Sequence, residues 1–330
     1  MESTRSKLIK LLSLQDDNYI SGQEISDKLK ISRSAIWKHM KELEKDGYEI
    51  EAKRNKGYRI LGSPNKVSEN TIQWGLETNW LGKKVIHKAS TPSTQIVAHQ
   101  LAQEGAGHGT VVIADEQTAG KGRLSRDWYS AKNKGIWMSI ILRPNILPYL
   151  APQLTLLTAT VLADVFQKKL QLAPKIKWPN DIILNDKKVS GILTEMQAEQ
   201  DKINYVIIGF GINVNHEQKE LPNTIINRAT SLKIETGQAW EIIDLIQRIL
   251  ATFEEKYEEY MSKGFPIVKQ NWEQNGYRIG EKTKIKSFQS VDEAVIMGIA
   301  DDGALLAKYQ DGEVKKIYSA EIDWFKTEKF

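Results

Sequence analysis

The period of the apolar residues changes twice along this chain, and those two changes restrict its architecture more than any other feature. Up to about residue 60 the apolar side chains recur every three or four positions in short, separate blocks. From Val67 to about Gly264 they gather into longer runs, among them Thr110–Ala114, Gly135–Leu142, Asp181–Leu184, Val189–Leu193 and Tyr205–Asn213, separated or followed by helical stretches at Pro152–Leu170 and Trp240–Tyr260. Beyond Gly280 short alternating blocks return, split by the turns Asp301-Asp-Gly303 and Asp311-Gly312. A chain of 330 residues is too long for one small core. We therefore expect three units: 1–64, a winged helix-turn-helix; 65–272, a mixed α/β or α+β body whose strand directions the pattern does not decide; and 273–330, a small all-β barrel.

In the first block Leu8, Leu11 and Leu12 form one helical stripe. Ser21 is placed to cap a second helix carrying Ile25 and Leu29 inward, with Glu24 three residues on. Ser32 can cap a third, in which Ile36, Met40 and Leu43 repeat at helical spacing and Gly47 stops the helix. Its outer face keeps Arg33, Ser34, Trp37, Lys38 and Lys41, and Tyr48–Ile60 alternates like two strands around a basic turn that includes Arg54 and Lys56. Between residues 28 and 59 ten Lys or Arg stand against five Asp or Glu, a local formal charge of +5. A helix with that face suits a major groove, and a basic wing adds phosphate contacts. The competing reading is a small bundle for protein contacts whose charges are only a solvated face. Ser32, Arg33, Ser34, Trp37, Lys38, Lys41, Arg54 and Lys56 are the candidate DNA-binding residues.

There is no cysteine, so disulfides, thiolate metal sites and cysteine nucleophiles are excluded. Five histidines without an H-E-x-x-H arrangement argue against a protein-built zinc site. No run approaches 18 consecutive apolar residues and the N-terminus lacks a basic patch followed by an apolar segment, so we expect neither membrane span nor signal, and a cytoplasmic protein.

Two stretches carry the chemistry. Gly120-Lys-Gly-Arg-Leu-Ser-Arg-Asp-Trp128 follows an apolar strand and sets three cations around two glycines. Glycine lets backbone approach an anion, and arginine offers planar multidentate donors, so the loop suits phosphates and can close over a reactive intermediate. It matches neither G-x-x-x-x-G-K-(S/T) nor G-x-G-x-x-G, and a basic surface loop is the bland alternative. Lys177-Trp-Pro-Asn-Asp181 is the second: stiff Trp178 and Pro179 would present Lys177, Asn180 and Asp181 in a defined geometry. The Asn185-Asp-Lys-Lys188 stretch then reads as a hairpin turn that returns Lys188 to the start of the first strand.

These two motifs resemble the G-(R/K)-G-R-x-x-R-x-W loop and the K-W-P-N-D signature of the bifunctional biotin protein ligase and biotin operon repressor family, and the resemblance covers the whole chain. It implies a biotin/lipoate ligase-like central domain, an SH3-like C-terminal barrel and a repressing winged helix. ATP and biotin would be the substrates, with Mg²⁺ alongside. Biotinyl-5'-AMP would form, acylate a lysine of a biotin carboxyl carrier protein domain, and act as corepressor for a homodimer on operator DNA.

By the same resemblance Lys188 and Arg123 would be catalytic. Ser93, Thr94, Gln95, Gln117, Lys121, Gly122, Arg123, Lys188 and Gly191 would hold biotin. Lys121, Arg123, Arg126, Trp128, Lys177, Asn180 and Asn213 would face the adenylate or ATP, and Asp181 a metal. Many members carry asparagine at the position of Gln95. A lipoate or octanoate ligase-like enzyme and a non-enzymatic ligand-sensing transcription factor are the alternatives. The former leaves the winged helix unexplained; the latter would bind without turnover.

Overall fold

A computed structural model describes residues 4–13, 18–45, 47–62, 66–286 and 291–323. The expected break at Leu61–Asn65 therefore lies partly outside the described residues, as does the end of the strand expected to reach Phe288.

Three helices, α1 (Thr4–Ser13), α2 (Gly22–Leu29) and α3 (Arg33–Lys45), pack on a hairpin of β1 (Glu49–Lys53) and β2 (Gly57–Gly62). None of these helices is long enough to be stable alone. What holds them is a shared core of Leu8, Ile9, Leu12, Ile20, Ile25, Ile36, Met40, Leu43, Tyr48 and Ile60. Ser21 caps α2 by accepting from the Glu24 amide, and the Ser32 hydroxyl accepts from the Ala35 amide at 3.2 Å at the start of α3. Ile20 exchanges both backbone hydrogen bonds with Tyr58, which fastens the wing to the segment before α2. Gly57 at φ +115° makes this approach possible, since a Cβ there would lie 1.9 Å from the Ile20 carbonyl oxygen.

A short helix, α4 (Glu69–Gln73), joins this unit to the central one. Trp74, just after it, packs on the winged-helix core and sits 6.0 Å from the Tyr48 ring, while Gln247 of the central unit donates to the carbonyls of Thr71, Ile72 and Trp74.

The central unit is one seven-stranded sheet in the order β3-β4-β5-β9-β8-β7-β6. Its strands are β3 (Val85–Lys88), β4 (Thr110–Ala114), β5 (Gly135–Leu142), β6 (Lys175–Lys177), β7 (Asp181–Leu184), β8 (Lys187–Glu199) and β9 (Lys202–Asn213). Only the β3–β4 pair is parallel, which settles what the apolar runs left open. Helix α5 (Thr94–Gln103) covers one face of the sheet. The other face is covered by α6 (Ala151–Leu170), α7 (Leu232–Thr236), α8 (Ile242–Lys263) and α9 (Pro266–Asn275). Helix α6 is long and apolar enough to cross a bilayer by composition, yet it is mostly buried in this core.

Period-2 alternation decides which residues look which way. On β9, Val206, Ile208, Phe210 and Ile212 join the core under α6 and α8, whereas Tyr205 and Ile207 join the one under α5. Continuing along that second face come Gly209, Gly211 and Asn213. The face thus loses its side chains just where it passes beyond the N-terminus of α5.

The last unit is a five-stranded antiparallel sheet in the order β13-β12-β11-β10-β14. It contains β10 (Lys282–Lys286), β11 (Val291–Ile299), β12 (Leu305–Tyr309), β13 (Val314–Ile317) and β14 (Glu321–Asp323), of which β14 is too short and charged to register in the sequence pattern. The Asp301–Gly303 turn docks on the central unit: the Trp178 indole donates to the Gly303 carbonyl at 3.1 Å, and Lys269 pairs with Asp301 at 2.8 Å.

Candidate active site

The glycine stretch of β9, with Gly191 beside Gly211 on β8, forms a floor on which three parts of the chain meet. The first is the start of α5. Ser93 caps this helix and is buried, as are Thr94 and Gln95. The Thr94 amide donates to Gln117 Oε1 at 2.8 Å, and Gln117 Nε2 donates to the Ser130 hydroxyl at 2.9 Å. Thr94 and Gln117 thereby fix each other at the root of the glycine loop.

The second part is the loop itself. The Gly122 amide donates to the Arg126 carbonyl at 2.7 Å and the Trp128 amide to the Gly120 carbonyl at 2.9 Å, so the tip is a closed turn with Leu124 and Ser125 at positive φ. Leu124 is 75% exposed, a large apolar side chain at the tip of the loop. Lys121 and Arg126 are exposed on the same tip. Trp128 turns back over the floor: a Cβ on Gly211 would lie 2.1 Å from its Nε1, and one on Gly191 3.1 Å from its ring. These two positions lack side chains because the indole occupies their space. Its buried Nε1–H has no hydrogen-bond partner among the described residues.

The third part is the β6–β7–β8 hairpin pair. Lys177 stands opposite Asp181, and the Trp178–Pro179 bond between them is cis. The Asn180 side chain donates to the Ile192 carbonyl at 2.8 Å and accepts from Arg123 Nη1 at 3.2 Å. This bond ties the loop to the hairpin across 57 residues of sequence. The register places Ile183 opposite Lys188, and the Lys188 ammonium returns to within 2.8 Å of Asp181 Oδ1 and 5.1 Å of the Trp128 ring centroid. Burial pulls the Arg123 guanidinium below its usual range, opposed by Asp181 and reinforced by Arg126. It is partly stripped of water and held beside Asn180, which is how an anion-binding arginine is built.

Lys121, Gly122, Arg123, Arg126, Trp128, Lys177, Asn180, Asp181, Lys188 and Gly191 thus fall in one neighbourhood, with Ser93, Thr94, Gln95 and Gln117 along its α5 side. Asn213 is buried at the end of β9 and donates to the Thr230 carbonyl at 2.9 Å, holding the segment that follows. Gly191 faces Lys188 Nζ and the Trp128 ring, so its missing side chain makes room for protein groups.

The sequence reading missed three groups. Ser139 is the polar interruption of the β5 apolar run, and its hydroxyl donates to Gln95 Oε1 at 2.8 Å. Glu195 accepts from Gln95 Nε2 at 2.8 Å. His216 is buried between Tyr129 and Trp137, 5.9 and 6.0 Å away by ring centroids, with neither ring nitrogen partnered among the described residues. Burial pushes its pKa down to about 4, opposed by Glu220 and assisted by Lys134. Only Ser139 left a visible mark in the sequence pattern.

The residues expected on DNA lie on the outer surface of the winged helix. Ser32, Arg33, Ser34, Trp37, Lys38 and Lys41 are exposed along α3, and Arg54 and Lys56 at the wing tip. Trp37 is 57% exposed, an indole that the small core does not need. Arg33 donates to Gln23 of α2, and Lys41 pairs with Glu44.

Comparison with known proteins agrees with this arrangement. The HTH domain family matches residues 4–59, the biotin/lipoate A/B protein ligase family residues 87–213, and the biotin protein ligase C-terminal domain residues 279–324. The bifunctional ligase/repressor BirA of Bacillus subtilis (strain 168) is 46% identical over 324 residues, covering 98% of this chain and 99% of that protein. The chain belongs to the bifunctional biotin ligase/repressor family. Its BirA relative in Escherichia coli (strain K12) is 26% identical over 98% of each chain. Among solved structures, the biotin protein ligase from Aquifex aeolicus in complex with biotin and ATP superposes with a TM-score of 0.65 at 30% identity, covering 73% of this chain and 98% of that one. The ligase body is carried here between an HTH module and a C-terminal β domain.

Proposed function

We propose that this protein is an ATP-dependent biotin protein ligase that also represses transcription, and that the glycine-floored site makes biotinyl-5'-AMP. The observation that carries the reading is the meeting of Arg123, Asn180, Asp181 and Lys188 over the Trp128 ring. Two motifs far apart in sequence are there tied together by the Arg123–Asn180 hydrogen bond, with Lys188 held on Asp181 beside the Trp128 ring.

The biotin carboxylate attacks the α-phosphate of ATP, forming the acyl–phosphate bond as pyrophosphate leaves. Lys188 stands where negative charge grows on the attacked phosphate, and a fixed ammonium in a cleft stabilises that charge without reorganising. Arg123, with Lys121 and Arg126 of the loop, holds the phosphate side, with Lys177 behind them. Ser93, Thr94 and Gln117 take the ureido end, whose donors and acceptors need partners once out of water. Closure of the loop excludes water from the mixed anhydride. An acceptor lysine amine then attacks the acyl carbon, AMP leaves, and the amine's proton passes to solvent.

Asp181 is a single carboxylate already paired with Lys188, and no group of three or more metal-ligating side chains occurs among the described residues. The donor set does not make a protein-built metal site. Any Mg²⁺ would be held chiefly by the ATP phosphates, and no step here runs through it.

For the regulatory half, α3 with Lys38 and Lys41 would enter the major groove of operator DNA, the wing would lie on phosphate, and a homodimer loaded with biotinyl-5'-AMP would be the binding form. The acceptor would be a lysine of a biotin carboxyl carrier domain. We keep 1–64, 65–272 and 273–330 as the working domain limits.

Incubation with ATP and biotin, following pyrophosphate release and labelling of a carrier domain, tests the enzyme. Turnover with biotin but not octanoate is expected. Binding of biotin without pyrophosphate release would reduce the protein to a ligand sensor.

A further inference from the structure

The sheet changes neighbours at Lys188. Strand β9 pairs with β8 from Glu199 back to Ser190, which stands opposite Ile212 near the end of β9. Past that end the lysine's own backbone is taken up by a segment that belongs to no regular strand. The Lys188 amide donates to the Arg228 carbonyl at 2.8 Å, and the Thr230 amide donates to the Lys188 carbonyl at 2.9 Å. On its other side Lys188 stands opposite Ile183, next to an irregularity in the β7–β8 ladder. The residues just before β8 are the tight Asn185-Asp186 turn, both at positive φ. Two pieces of irregular backbone, the turn and the 228–230 segment, therefore decide where this lysine points.

One carboxylate holds both. Glu235 of α7 accepts from the Thr230 hydroxyl through Oε1 at 2.5 Å and from the Asn185 side-chain amide through Oε2. A carboxylate only accepts, and each partner has a proton to give, so its two oxygens serve two donors without competition. Thr230 is fully buried. The start of α7 is fixed as well: the Ser231 hydroxyl accepts from the Ile234 amide at 3.1 Å and donates to the His216 carbonyl at 2.7 Å. Glu235 thus stands on a capped helix, and since the Lys188 ammonium is paired with Asp181, what Glu235 fixes is the backbone that carries it.

We propose that Glu235 is a positioning residue for acyl-adenylate formation: by joining the hairpin turn to the segment that backs Lys188, it sets where the ammonium stands. Glu235 touches neither substrate. A misplacement of about 1 Å at a reacting group can cost on the order of 100-fold in rate, so a clasp on the backbone under a catalytic lysine is felt in the chemical step. The proposal rests on the ligase reading and on Lys188 serving the attacked phosphate.

The test is a double-mutant cycle on the full-length protein, read as the single-turnover rate of pyrophosphate release from ATP labelled at its terminal phosphate, with biotin saturating. Glu235→Ala should slow the wild type by about tenfold or more and the Lys188→Ala protein by less than about twofold, because the clasp has nothing to aim once the ammonium is gone. Glu235→Gln should recover most of the rate: its carbonyl can accept from Asn185 while its NH₂ donates to the Thr230 hydroxyl, which keeps both joints. Thr230→Val removes one joint at nearly constant shape. It should slow the wild type by an intermediate factor and again spare the Lys188→Ala protein, which keeps the test open if Glu235→Ala folds poorly. Equal slowing in both backgrounds would mean a general loss of structure, and a Glu235→Gln protein as slow as Glu235→Ala would mean an effect of charge; either overturns the inference. So does an undiminished rate in folded Glu235→Ala. In these cases the wild type still turns over and the ligase reading stands. A Lys188→Ala protein as fast as the wild type removes the lysine's role and this inference together, and a wild type that releases no pyrophosphate removes the ligase reading too.

Discussion

The Lys188 ammonium lies 2.8 Å from Oδ1 of Asp181, so the one lysine the hairpin returns to the cleft is held by the last residue of the Lys177–Asp181 motif. A lysine held this way is ordered before substrate arrives, and a fixed cation is worth more to a developing charge than a mobile one. Lys188→Ala should lower the rate of pyrophosphate release by about 10²–10³-fold, the range found for losing one preorganised group in an active site. DNA binding by protein supplied with ready-made biotinyl-5'-AMP should fall far less. Equal losses in the two assays would mean a folding defect and no chemical role.

Arg123 joins the loop to Asn180 across the cleft. Arg123→Ala should leave adenylate formation measurable but shorten retention of the intermediate. A chase of labelled biotinyl-5'-AMP with unlabelled ligand should show dissociation faster by about tenfold or more, the equivalent of one charge-assisted hydrogen bond. An unaltered chase would take this side chain out of the closing loop's grip.

His216 supplies a pH dependence whose sign follows from its depressed pKa. With an ordinary value near 6.5 when unfolded and about 4 when folded, the unfolded chain binds more protons between those limits. Stability contributed by the neutral ring is complete above pH 6.5 and is lost as pH falls toward 4. The loss amounts to about 2 kcal/mol by pH 5. Denaturant melts at pH 7 and pH 5 of the wild type and of His216→Gln should differ in slope, the variant losing less. Identical slopes would mean the ring is protonated or solvated in the fold.

Gly57 should separate the two functions. A Cβ there meets the Ile20 carbonyl at a distance no packing tolerates, and positive φ adds strain of about 1–3 kcal/mol. Gly57→Ala should detach the wing and weaken operator binding at least tenfold by anisotropy, with pyrophosphate release unchanged. A variant that keeps full DNA affinity would show that the wing adds nothing to it.

Lys38 is exposed on α3 and forms no ion pair among the described residues, unlike Lys41 with Glu44. Lys38→Ala should weaken DNA binding across unrelated sequences and reduce the salt slope of log K by about one. A loss confined to one operator sequence would place Lys38 on a base instead of a phosphate.

The parts of the fold legible in the sequence were those whose cause is local. Capping serines 21 and 32, the stripe of Ile36, Met40 and Leu43, and the turn at Asp301–Gly303 each sit within a few residues of the structure they produce. Strand direction was not legible, because Thr110–Ala114 and Gly135–Leu142 are apolar on both faces and carry no alternation to orient them. In the site, the cations announced themselves by type and spacing. The bond from Asn213 to the Thr230 carbonyl was not legible, because only the path of the chain brings that carbonyl to it. Glu195 and His216 were invisible for the converse reason: their significance lies in a partner about a hundred residues away, or in ring nitrogens that meet no hydrogen-bond partner among the described residues.

The bare stretch of β9 has a last consequence. Because Trp128 and Gln95 already fill the volume above Gly211 and Gly209, the sheet offers no side chain that an engineer could trim to admit a bulkier acid, and any side chain added there displaces those two residues first. Redesign toward other carboxylates has to start from the rim, in Thr94, Gln117 and the indole, while the sheet beneath is left untouched.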